Sequence, residues 1–405
     1  MSTGEILFLA HRMPFPPDRG DRIRAHHVLR ALARLAPVHV GSFVDDPADL
    51  LHLPDLARVA ASHRVEVRRK PLWQAGAEAL ASGVPVSLAA WRSASLSRWV
   101  RDLLASGRIG TVFVYSGQMG QFLPADWRGR LVVDLCDVDS AKFEAYAVDA
   151  GAMRGFIHAR EGRLLKRIEA DLAARADHTL LASDEEAALL RARAPAGRDI
   201  RALRNGIDAA FFAPEDVAPA PDMPRIGPRL LFTGQMDYPP NVAAATRMAK
   251  RIMPLVLARH PQATFHVVGR APTPEVLALE GVNSTRVHGA VPDVRPFLAA
   301  ADIITVPLDI ARGVQNKVLE AMAMARPVIA SPAAATGISG RDGEHFVIAG
   351  DDVAFAAAID RLAADPGTLG PAARAYVLAH QSWPAMLADL PALLGLKGEG
   401  QRDAA

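Results

Sequence analysis

The sequence predicts an α/β protein made of two doubly wound domains. Three observations support this prediction. A chain of 405 residues is too long for one compact core and suits two domains. Half of its residues are apolar and 22% are charged, which is the balance of an ordinary globular protein. Short apolar runs alternate with amphipathic stretches, which is typical of βα units and parallel sheets.

The alternation begins near the N-terminus and gives the first domain its predicted strands. Five short apolar runs are separated by helical patterns: residues 6–10, 38–44, 111–115, 131–135 and 178–182. The pattern stops at residues 213–228, a proline-rich segment with little periodicity. Such a composition indicates an extended linker. The first domain is therefore predicted to span residues 1–212.

The alternation resumes after the linker and gives a second domain, residues 229–375. Its predicted strands are residues 229–233, 264–268, 303–306, 327–330 and 345–348. Two further helical stretches follow at about 369–380 and 383–395. We expect residues 376–405 to pack back toward the first domain and to end in a frayed tail.

Charge and cysteine content narrow the function classes. The net charge is only +2, so the total gives no indication of nucleic-acid binding. A single cysteine, Cys136, excludes an internal disulfide and fits a reducing compartment. The N-terminus lacks the features of a secretory signal, and no uninterrupted apolar run reaches about 18 residues. These features predict a cytoplasmic protein without a membrane-spanning segment.

The strongest chemical signal is the segment RGVQNKVLEAMAMARPVIAS at residues 312–331. Gly313 ends a loop, residues 316–325 read as a helix, and the chain then turns into a buried strand. Asn316 and Glu320 are four residues apart and share one helix face. Backbone N–H groups from Val314 to Lys317 would lie at the positive end of the helix dipole and suit a diphosphate. A carboxylate one turn further in could accept hydrogen bonds from ribose hydroxyls. Taken alone, the segment could equally be an ordinary amphipathic helix with a solvated glutamate.

This segment resembles the donor-site helix of retaining GT-B glycosyltransferases of family four, also called glycosyl transferases group 1. The resemblance rests on the sequence EAMA at 320–323, followed by PVIAS at 327–331. Other landmarks follow in the family's order: NGID at 205–208, FTG at 232–234, VVG at 267–269, HG at 288–289 and AD at 301–302. In finer detail, the segments GQMDYPPN and VVDLCDVDSAKF are similar to a branch associated with exopolysaccharide and PEP-CTERM export systems.

The resemblance implies the GT-B fold, with two Rossmann-like domains, a cleft between them and C-terminal helices. It implies a hexosyltransferase that moves a sugar from a UDP- or GDP-linked donor to a saccharide or polyprenyl-linked acceptor with retention of configuration. The second domain would bind the donor and the first the acceptor. Gly234 and Gly269 fall in the donor site, together with Gln235 and Arg270. No cofactor or metal is implied, because helix N–H groups and cations would stabilise the leaving diphosphate.

Three positions depart from the family pattern. The first glutamate of the family signature falls at Arg312, and the usual arginine and lysine after Gly234 are replaced by Gln235 and Pro240. Other cations must then neutralise the diphosphate. We expect Lys317 to do so first, with Arg312 and Arg270 as further candidates.

The segment HRMPFPPDRGDRIR at 11–24 follows the first predicted strand and opens a helix. Gly20 lets the backbone approach a phosphate or sugar closely. In the family this loop faces the donor helix, which favours a catalytic position for Gly20. Arg19 and Arg22 are candidates for contact with an anionic acceptor. The neighbouring aspartates could also simply cap the helix.

Aspartates follow a second strand at 134–139. Because ligands bind at the carboxyl edge of open α/β sheets, Asp134 and Asp137 are candidates to contact the transferred sugar or the acceptor hydroxyl. A histidine common in this region of the family is replaced, with Asp134 nearest its place. Asp137 and Asp139 form a D-x-D triplet, but we expect no metal there, since carboxylates at a strand end also cap helices.

Residues 68–104 combine basic and aromatic side chains and hold three of the five tryptophans. Arg92, Arg98, Arg101 and Trp99 are candidates for contact with an anionic membrane surface or a lipid-linked acceptor. The apolar stripe of the same stretch could instead be core. The sequence therefore admits a peripheral position at the inner face of the cytoplasmic membrane.

Three rival functions are considered. A nucleotide-sugar epimerase shares the fold but has no acceptor. A non-catalytic sugar-binding protein would fit the three departures from the pattern. A dinucleotide-dependent oxidoreductase is disfavoured, since MPFPPDRGD follows the first strand where a G-x-G-x-x-G fingerprint is expected.

Overall fold

The computed structural model describes residues 4–149, 151–311 and 313–396. Contacts within the chain divide it into two compact units. The N-terminal unit runs to Asn205 and includes the chain from Met386 onward, and the C-terminal unit is Gly206–Ala385. No described helix combines the length and apolar character needed to cross a bilayer.

The N-terminal unit contains a seven-stranded parallel sheet with the order β3-β2-β1-β4-β5-β6-β7. The strands are β1 Glu5–Ala10, β2 Val38–Val44, β3 Ser62–Val67, β4 Ile109–Tyr115, β5 Arg130–Cys136, β6 His178–Leu181 and β7 Ile200–Ala202. Its helices are α1 Gly20–Ala33, α2 Leu53–Ala57, α3 Leu72–Ser82, α4 Val86–Ala89, α5 Ala94–Ala105, α6 Asp139–Asp149, α7 Ala152–Arg175 and α8 Asp184–Arg191.

The C-terminal unit contains a six-stranded parallel sheet with the order β10-β9-β8-β11-β12-β13. The strands are β8 Arg229–Thr233, β9 Thr264–Val268, β10 Thr285–Gly289, β11 Ile303–Val306, β12 Val328–Ala330 and β13 Val347–Ile348. Its helices are α9 Pro239–Arg247, α10 Met253–Leu257, α11 Pro274–Leu277, α12 Arg295–Ala300, α13 Asn316–Ala323, α14 Pro332–Ala335, α15 Asp352–Ala364 and α16 Leu369–His380. Two short helices follow, α17 Trp383–Met386 and α18 Leu390–Leu393. Short 3₁₀ segments lie at Pro47–His52, Gly117–Phe122, Pro214–Asp216 and Val282–Ser284, and a π-helical turn at Met248–Ile252 joins α9 to α10.

The fold confirms two doubly wound α/β domains, and every predicted strand exists. The apolar runs predict the central strands closely: β2, β8, β9 and β11 begin and end at the predicted residues. The sequence pattern misses β3, β7 and β10. All three are edge strands, which pair on one side only and need no continuous apolar run.

Two helix predictions need correction. The donor-site helix α13 ends at Ala323 and not at 325, because Ala325 adopts the left-handed conformation with φ 53°. The predicted helix at 383–395 is wrong as a single element, since α17 and α18 are separate. Pro391 lies in the first turn of α18 and cannot continue a helix from the preceding residues. The predicted frayed tail at 397–405 lies outside the described residues.

Both sheets reverse their strand order once. In the N-terminal unit the reversal lies between β1 and β4, and in the C-terminal unit it lies between β8 and β11. The loops after the two strands diverge there and leave a crevice at the carboxyl edge, where open α/β sheets bind ligands. These two points position the candidate sites.

Candidate functional site

The C-terminal crevice is floored by two glycines that follow neighbouring strands. Gly234 follows β8, and Gly269 follows β9. A Cβ atom on Gly269 would lie 1.6 Å from the Gly234 carbonyl oxygen, so no other residue fits without moving the backbone. A Cβ on Gly234 would lie 2.8 Å from Asn241 Nδ2 and 3.0 Å from Lys317 Nζ. Glycine at this position therefore lets the lysine ammonium group and the Asn241 amide lie close against the backbone.

Lys317 reaches this crevice from the first turn of α13. Its Nζ donates a hydrogen bond of 2.5 Å to Asn241 Oδ1 and lies 4.7 Å from the centre of the Phe232 ring. Asn241 Nδ2 in turn donates to the Gln235 carbonyl oxygen at 2.9 Å, which fixes the orientation of the amide. Burial lowers the pKa of Lys317 to about 8, against the opposing charge of Glu320. The ammonium group is thus held largely out of water and lacks full compensation.

Glu320 lies one turn after Lys317 on the same face of α13. Burial raises the pKa of its carboxyl group, and the charge of Lys317 partly offsets the shift. The pair therefore couples a cation and a carboxylate that are both poorly hydrated. Such groups gain most from a ligand that supplies hydrogen bonds and opposite charge.

The remaining predicted donor residues surround this pair unevenly. Asn316, Gly313 and Val314 are exposed, and Gly313 has a left-handed φ of 64°. Gln315 Nε2 donates to the Gly313 carbonyl oxygen at 3.1 Å. Arg312 lies outside the described residues.

Arg270 contributes a second cation at the edge of the same crevice. Its Nη2 donates to Gln235 Oε1 at 3.1 Å, and both residues are exposed. Gln235 replaces a basic residue of the family pattern, and its side chain orients the cation Arg270 instead.

Sequence reasoning missed Arg247, which fixes the start of the loop before α13. This buried guanidinium donates to the Pro307 carbonyl oxygen at 3.3 Å and to Asp309 at 2.9 Å. Its Nε donates to Asp352 at 2.7 Å. Arg247 thus ties the loop after β11 to the start of α15. Its position on an amphipathic helix gave no sequence signal, because an arginine there is usually solvated.

The N-terminal crevice contains a cavity of about 410 Å³. Residues that follow β1, β4, β5 and β6 form its walls, as expected at a carboxyl edge. Its polar lining includes the predicted residues Gly20, Arg19 and Asp137 and also Asp139, His11, Arg24, Gln118 and Asn205. Gly20, at the first turn of α1, has open space where a side chain would be.

Asp134 is fully buried beneath this cavity. Both of its carboxylate oxygens accept hydrogen bonds from Arg24, at 2.9 and 3.0 Å. Arg24 lines the cavity and also donates to Asn205 Oδ1 at 2.9 Å and to the Leu203 carbonyl oxygen at 2.7 Å. Asp134 therefore acts on the cavity through Arg24 in this structure.

Asp137 and Asp139 stand at the rim, joined by one cation. Lys142 Nζ lies 2.7 Å from an oxygen of Asp137 and 3.3 Å from one of Asp139. Asp139 also begins α6. The two carboxylates of the D-x-D triplet thus share a lysine.

Sequence reasoning also missed His11, the residue directly after β1. Its ring stacks on Tyr115 with a centroid distance of 5.8 Å and meets Trp91 edge to face at 5.6 Å. Its Nε2 lies 3.4 Å from Asp21 Oδ2, while Nδ1 is buried and has no hydrogen-bond partner. The histidine opens the motif that singled out Gly20, so its place at the strand end was the available signal.

The arginines predicted to meet an acceptor differ in their surroundings. Arg19 is half exposed and pairs with Asp21 at 3.1 Å. Asp21 also pairs with Arg12 at 2.8 Å, and its hydrogen bonds with His11 and Arg12 hold the pKa of its carboxyl group well below the usual range despite burial. Arg22 is buried and pairs with Asp49, away from the cavity lining.

The basic, tryptophan-bearing stretch is divided between core and surface. Trp91 is buried, and Trp99 packs partly into the core, where its ring would touch a Cβ on Gly41. Arg98 and Arg101 are exposed on α5, and Arg92 pairs with Glu78 at 2.9 Å. The aromatic side chain that the stretch leaves exposed is Trp73.

Comparison with known proteins identifies the class of fold. Residues 227–365 match the family model of the glycosyl transferases group 1, which covers the second sheet and its crevice. No curated protein sequence matches the chain. The match is confined to the C-terminal unit.

Solved structures match nearly the full length. Sucrose-phosphate synthase from Thermosynechococcus elongatus is 19% identical with a TM-score of 0.60, covering 96% of this chain and 98% of that one. Anabaena HepE in complex with UDP is 15% identical with a TM-score of 0.60, covering 96% and 99%. A glycosyltransferase from Rickettsia africae is 13% identical with a TM-score of 0.59 and covers both chains completely. The protein thus has the GT-B fold.

Proposed function

We propose that the protein is a glycosyltransferase that takes its sugar from a nucleoside-diphosphate donor. The observation that carries the proposal is that Lys317 and Glu320, both half-buried, share one face of α13, with Lys317 lying against the backbone of Gly234. A compact anion would pair with the ammonium group, and a hydroxyl-bearing group would donate hydrogen bonds to the carboxylate. Ribose followed by diphosphate has this order of groups.

Lys317 would neutralise the diphosphate, assisted by the N–H groups at the start of α13 and by Arg270. Arg312 is a further candidate for this role. Glu320 would accept hydrogen bonds from the ribose hydroxyls. HepE has been solved with UDP and with UDP-glucose, which supports a uridine donor as the first choice and a hexose as the transferred sugar. GDP-linked donors are the second choice.

In the reaction we propose, the bond between the anomeric carbon and the diphosphate oxygen breaks, and its electron pair stays on the phosphate. The acceptor hydroxyl oxygen bonds to the same carbon, and its proton passes to the leaving phosphate. Attack from the face that the phosphate leaves would retain the configuration. Lys317 stabilises the charge that develops on the diphosphate, so we propose that no divalent metal is required.

The N-terminal cavity is the proposed acceptor site. Gly20 and Asp137 would contact the transferred sugar or the acceptor hydroxyl, and Arg19 would meet an anionic group on the acceptor. Asp134 would not contact the substrate itself but would hold in place Arg24, which lines the cavity. We propose a saccharide or polyprenyl-linked saccharide of exopolysaccharide or cell-surface glycan synthesis as the acceptor, used at the cytoplasmic face of the membrane.

Calorimetry with UDP-, GDP- and ADP-sugars on the purified protein tests the proposal. We expect one nucleotide class to bind and free nicotinamide dinucleotides not to bind. Release of nucleoside diphosphate only when an acceptor is added would distinguish transfer from epimerisation. Donor binding without any turnover would indicate a non-catalytic sugar-binding protein. Binding of nicotinamide dinucleotides alone would overturn the proposal.

A further inference from the structure

Helix α3 presents its large apolar side chains to solvent. Leu72, Trp73 and Leu80 are 71%, 77% and 72% exposed, whereas the helix buries only Ala75 and Ala79. Each exposed apolar group costs about 25 cal/mol for every Å² left in water. A helix whose small residues face the core and whose large ones face outward is poorly suited to free solution and indicates a contact surface.

The same surface continues onto α7. Arg160 of α7 donates to the Ala79 carbonyl oxygen at 3.0 Å and to that of Val84 at 3.3 Å, which joins α7 to the end of α3. Phe156 and Ile157 lie within one turn of Arg160 and are 70% and 51% exposed. Leu80 and Phe156 therefore flank one junction, and together with Leu72, Trp73 and Ile157 they form what we term the α3–α7 face.

Two carboxylates of α7 face the interior of the unit, whereas most of its basic side chains face solvent. Its carboxylates Glu161 and Glu169 are 3% and 4% exposed and accept hydrogen bonds from Val86, Ser87 and Ser140 inside the unit. Its exposed cations are Arg154, Arg163, Lys166, Arg167 and Arg175.

This sorting adds positive charge to the apolar surface. Phe156, Arg163 and Arg167 are spaced by seven and four residues, so they follow one helix face. The exposed carboxylate of α7, Asp171, lies one turn beyond Arg167. The α3–α7 face is thus apolar at one end and cationic along its flank.

We infer that the α3–α7 face docks on an anionic lipid surface. Tryptophan, leucine and phenylalanine side chains enter the headgroup zone, and neighbouring arginine and lysine side chains pair with anionic headgroups. Burial of Glu161 and Glu169 leaves Asp171 as the exposed carboxylate of α7 against its exposed cations, so repulsion from such a surface is small. A second copy of this chain would bring the same cations together and is disfavoured by repulsion. The inference does not depend on the reaction proposed above.

Vesicle binding tests the inference, with Trp73 as the probe. We expect cosedimentation with vesicles of phosphatidylcholine and phosphatidylglycerol, little with phosphatidylcholine alone, and a decrease as salt rises. Trp73 emission should shift to the blue and be quenched by brominated lipid. The tryptophans at 91, 99, 127 and 383 are buried or half-buried and serve as the constant background.

Two double variants test the cationic part and the apolar part of the α3–α7 face separately. Arg163→Gln with Arg167→Gln should lower partitioning into anionic vesicles roughly 30-fold, at about 1 kcal/mol for each charge near the surface. Trp73→Ser with Leu80→Ser should abolish the emission shift and weaken binding. The matched control is Arg98→Gln with Arg101→Gln on α5, which should bind as wild type does. Calorimetry with UDP on every variant should be unchanged, so failure of the membrane inference is distinct from failure of the proposed reaction.

Three outcomes would overturn the inference. The wild-type protein could ignore anionic vesicles at low salt. The α5 control could lose binding while the α7 variant keeps it. Sedimentation velocity without lipid could show self-association that Trp73→Ser with Leu80→Ser abolishes, which would assign the face to a second copy of the chain.

Discussion

Arg24 donates hydrogen bonds of 2.9 and 3.0 Å to the two carboxylate oxygens of Asp134, and both side chains are buried. Removal of one partner of such a pair leaves an uncompensated charge out of water and costs about 3–5 kcal/mol. Asp134→Asn should therefore destabilise the N-terminal unit. Urea unfolding followed by intrinsic fluorescence measures this, since the tryptophans at 73, 91, 99 and 127 belong to that unit.

The control for Asp134→Asn is Asp55→Asn, because Asp55 pairs with Arg58 on the surface at 2.7 Å. An exposed pair contributes at most about 1 kcal/mol. A stable Asp134→Asn protein that has lost turnover would instead make Asp134 a catalytic residue.

Glu320→Gln should weaken binding of the preferred nucleotide sugar by about 1.5–3 kcal/mol, the value of a hydrogen bond to a charged group. The fold should persist, since glutamine keeps the volume of the side chain. Calorimetry measures the change, with the exposed Glu275→Gln on α11 as the matched control. Unchanged donor affinity in Glu320→Gln would show that α13 does not hold the donor.

Donor affinity should fall as pH rises, because the pKa of Lys317 is about 8 and only its charged form attracts the diphosphate. Between pH 7 and 9 the affinity for a nucleotide sugar should fall about tenfold. Lys317→Arg should remove this dependence, since arginine stays charged. If the affinity of the wild-type protein is constant across this pH range, Lys317 does not bind the diphosphate.

Turnover should be insensitive to EDTA, because Lys317 and helix N–H groups stabilise the leaving diphosphate. Lys317→Ala should reduce the rate strongly, while the exposed Lys250→Ala should not. Initial rates with and without EDTA provide the measurement. Activity that EDTA abolishes and Mg²⁺ or Mn²⁺ restores would point to Asp137 and Asp139 as metal ligands.

Glu169 should make the N-terminal unit less stable as pH rises. Burial raises its pKa to about 7, although hydrogen bonds from Ser140 oppose the shift. Because the folded-state pKa lies above the unfolded one, the stabilising contribution is complete below about pH 4.5 and is lost as pH rises through about 7.

The loss attributed to Glu169 is on the order of 3 kcal/mol. Glu169→Gln cannot titrate and should show a flatter profile of unfolding midpoint between pH 5 and 8. Parallel profiles for variant and wild type would refute the assignment.

The sequence predicted the central strands of both sheets because a strand buried on both faces must be continuously apolar. It also predicted that Asn316 and Glu320 share a helix face, since residues four apart in a helix are neighbours. The edge strands β3, β7 and β10 left weaker patterns because one side of each is unpaired.

What the sequence determined by itself was local: the period of the apolar residues and the resemblance carried by EAMA and PVIAS. Only the tertiary structure decided which distant groups meet. Asp134 is 110 residues from Arg24, and strand pairing turns its carboxylate inward to that partner. Trp99 packs against β2 while Trp73 remains exposed, although both stood in one basic stretch. Spacing along the chain fixes which face of an element a side chain occupies, and the packing of elements fixes whether that face meets core, cavity or solvent.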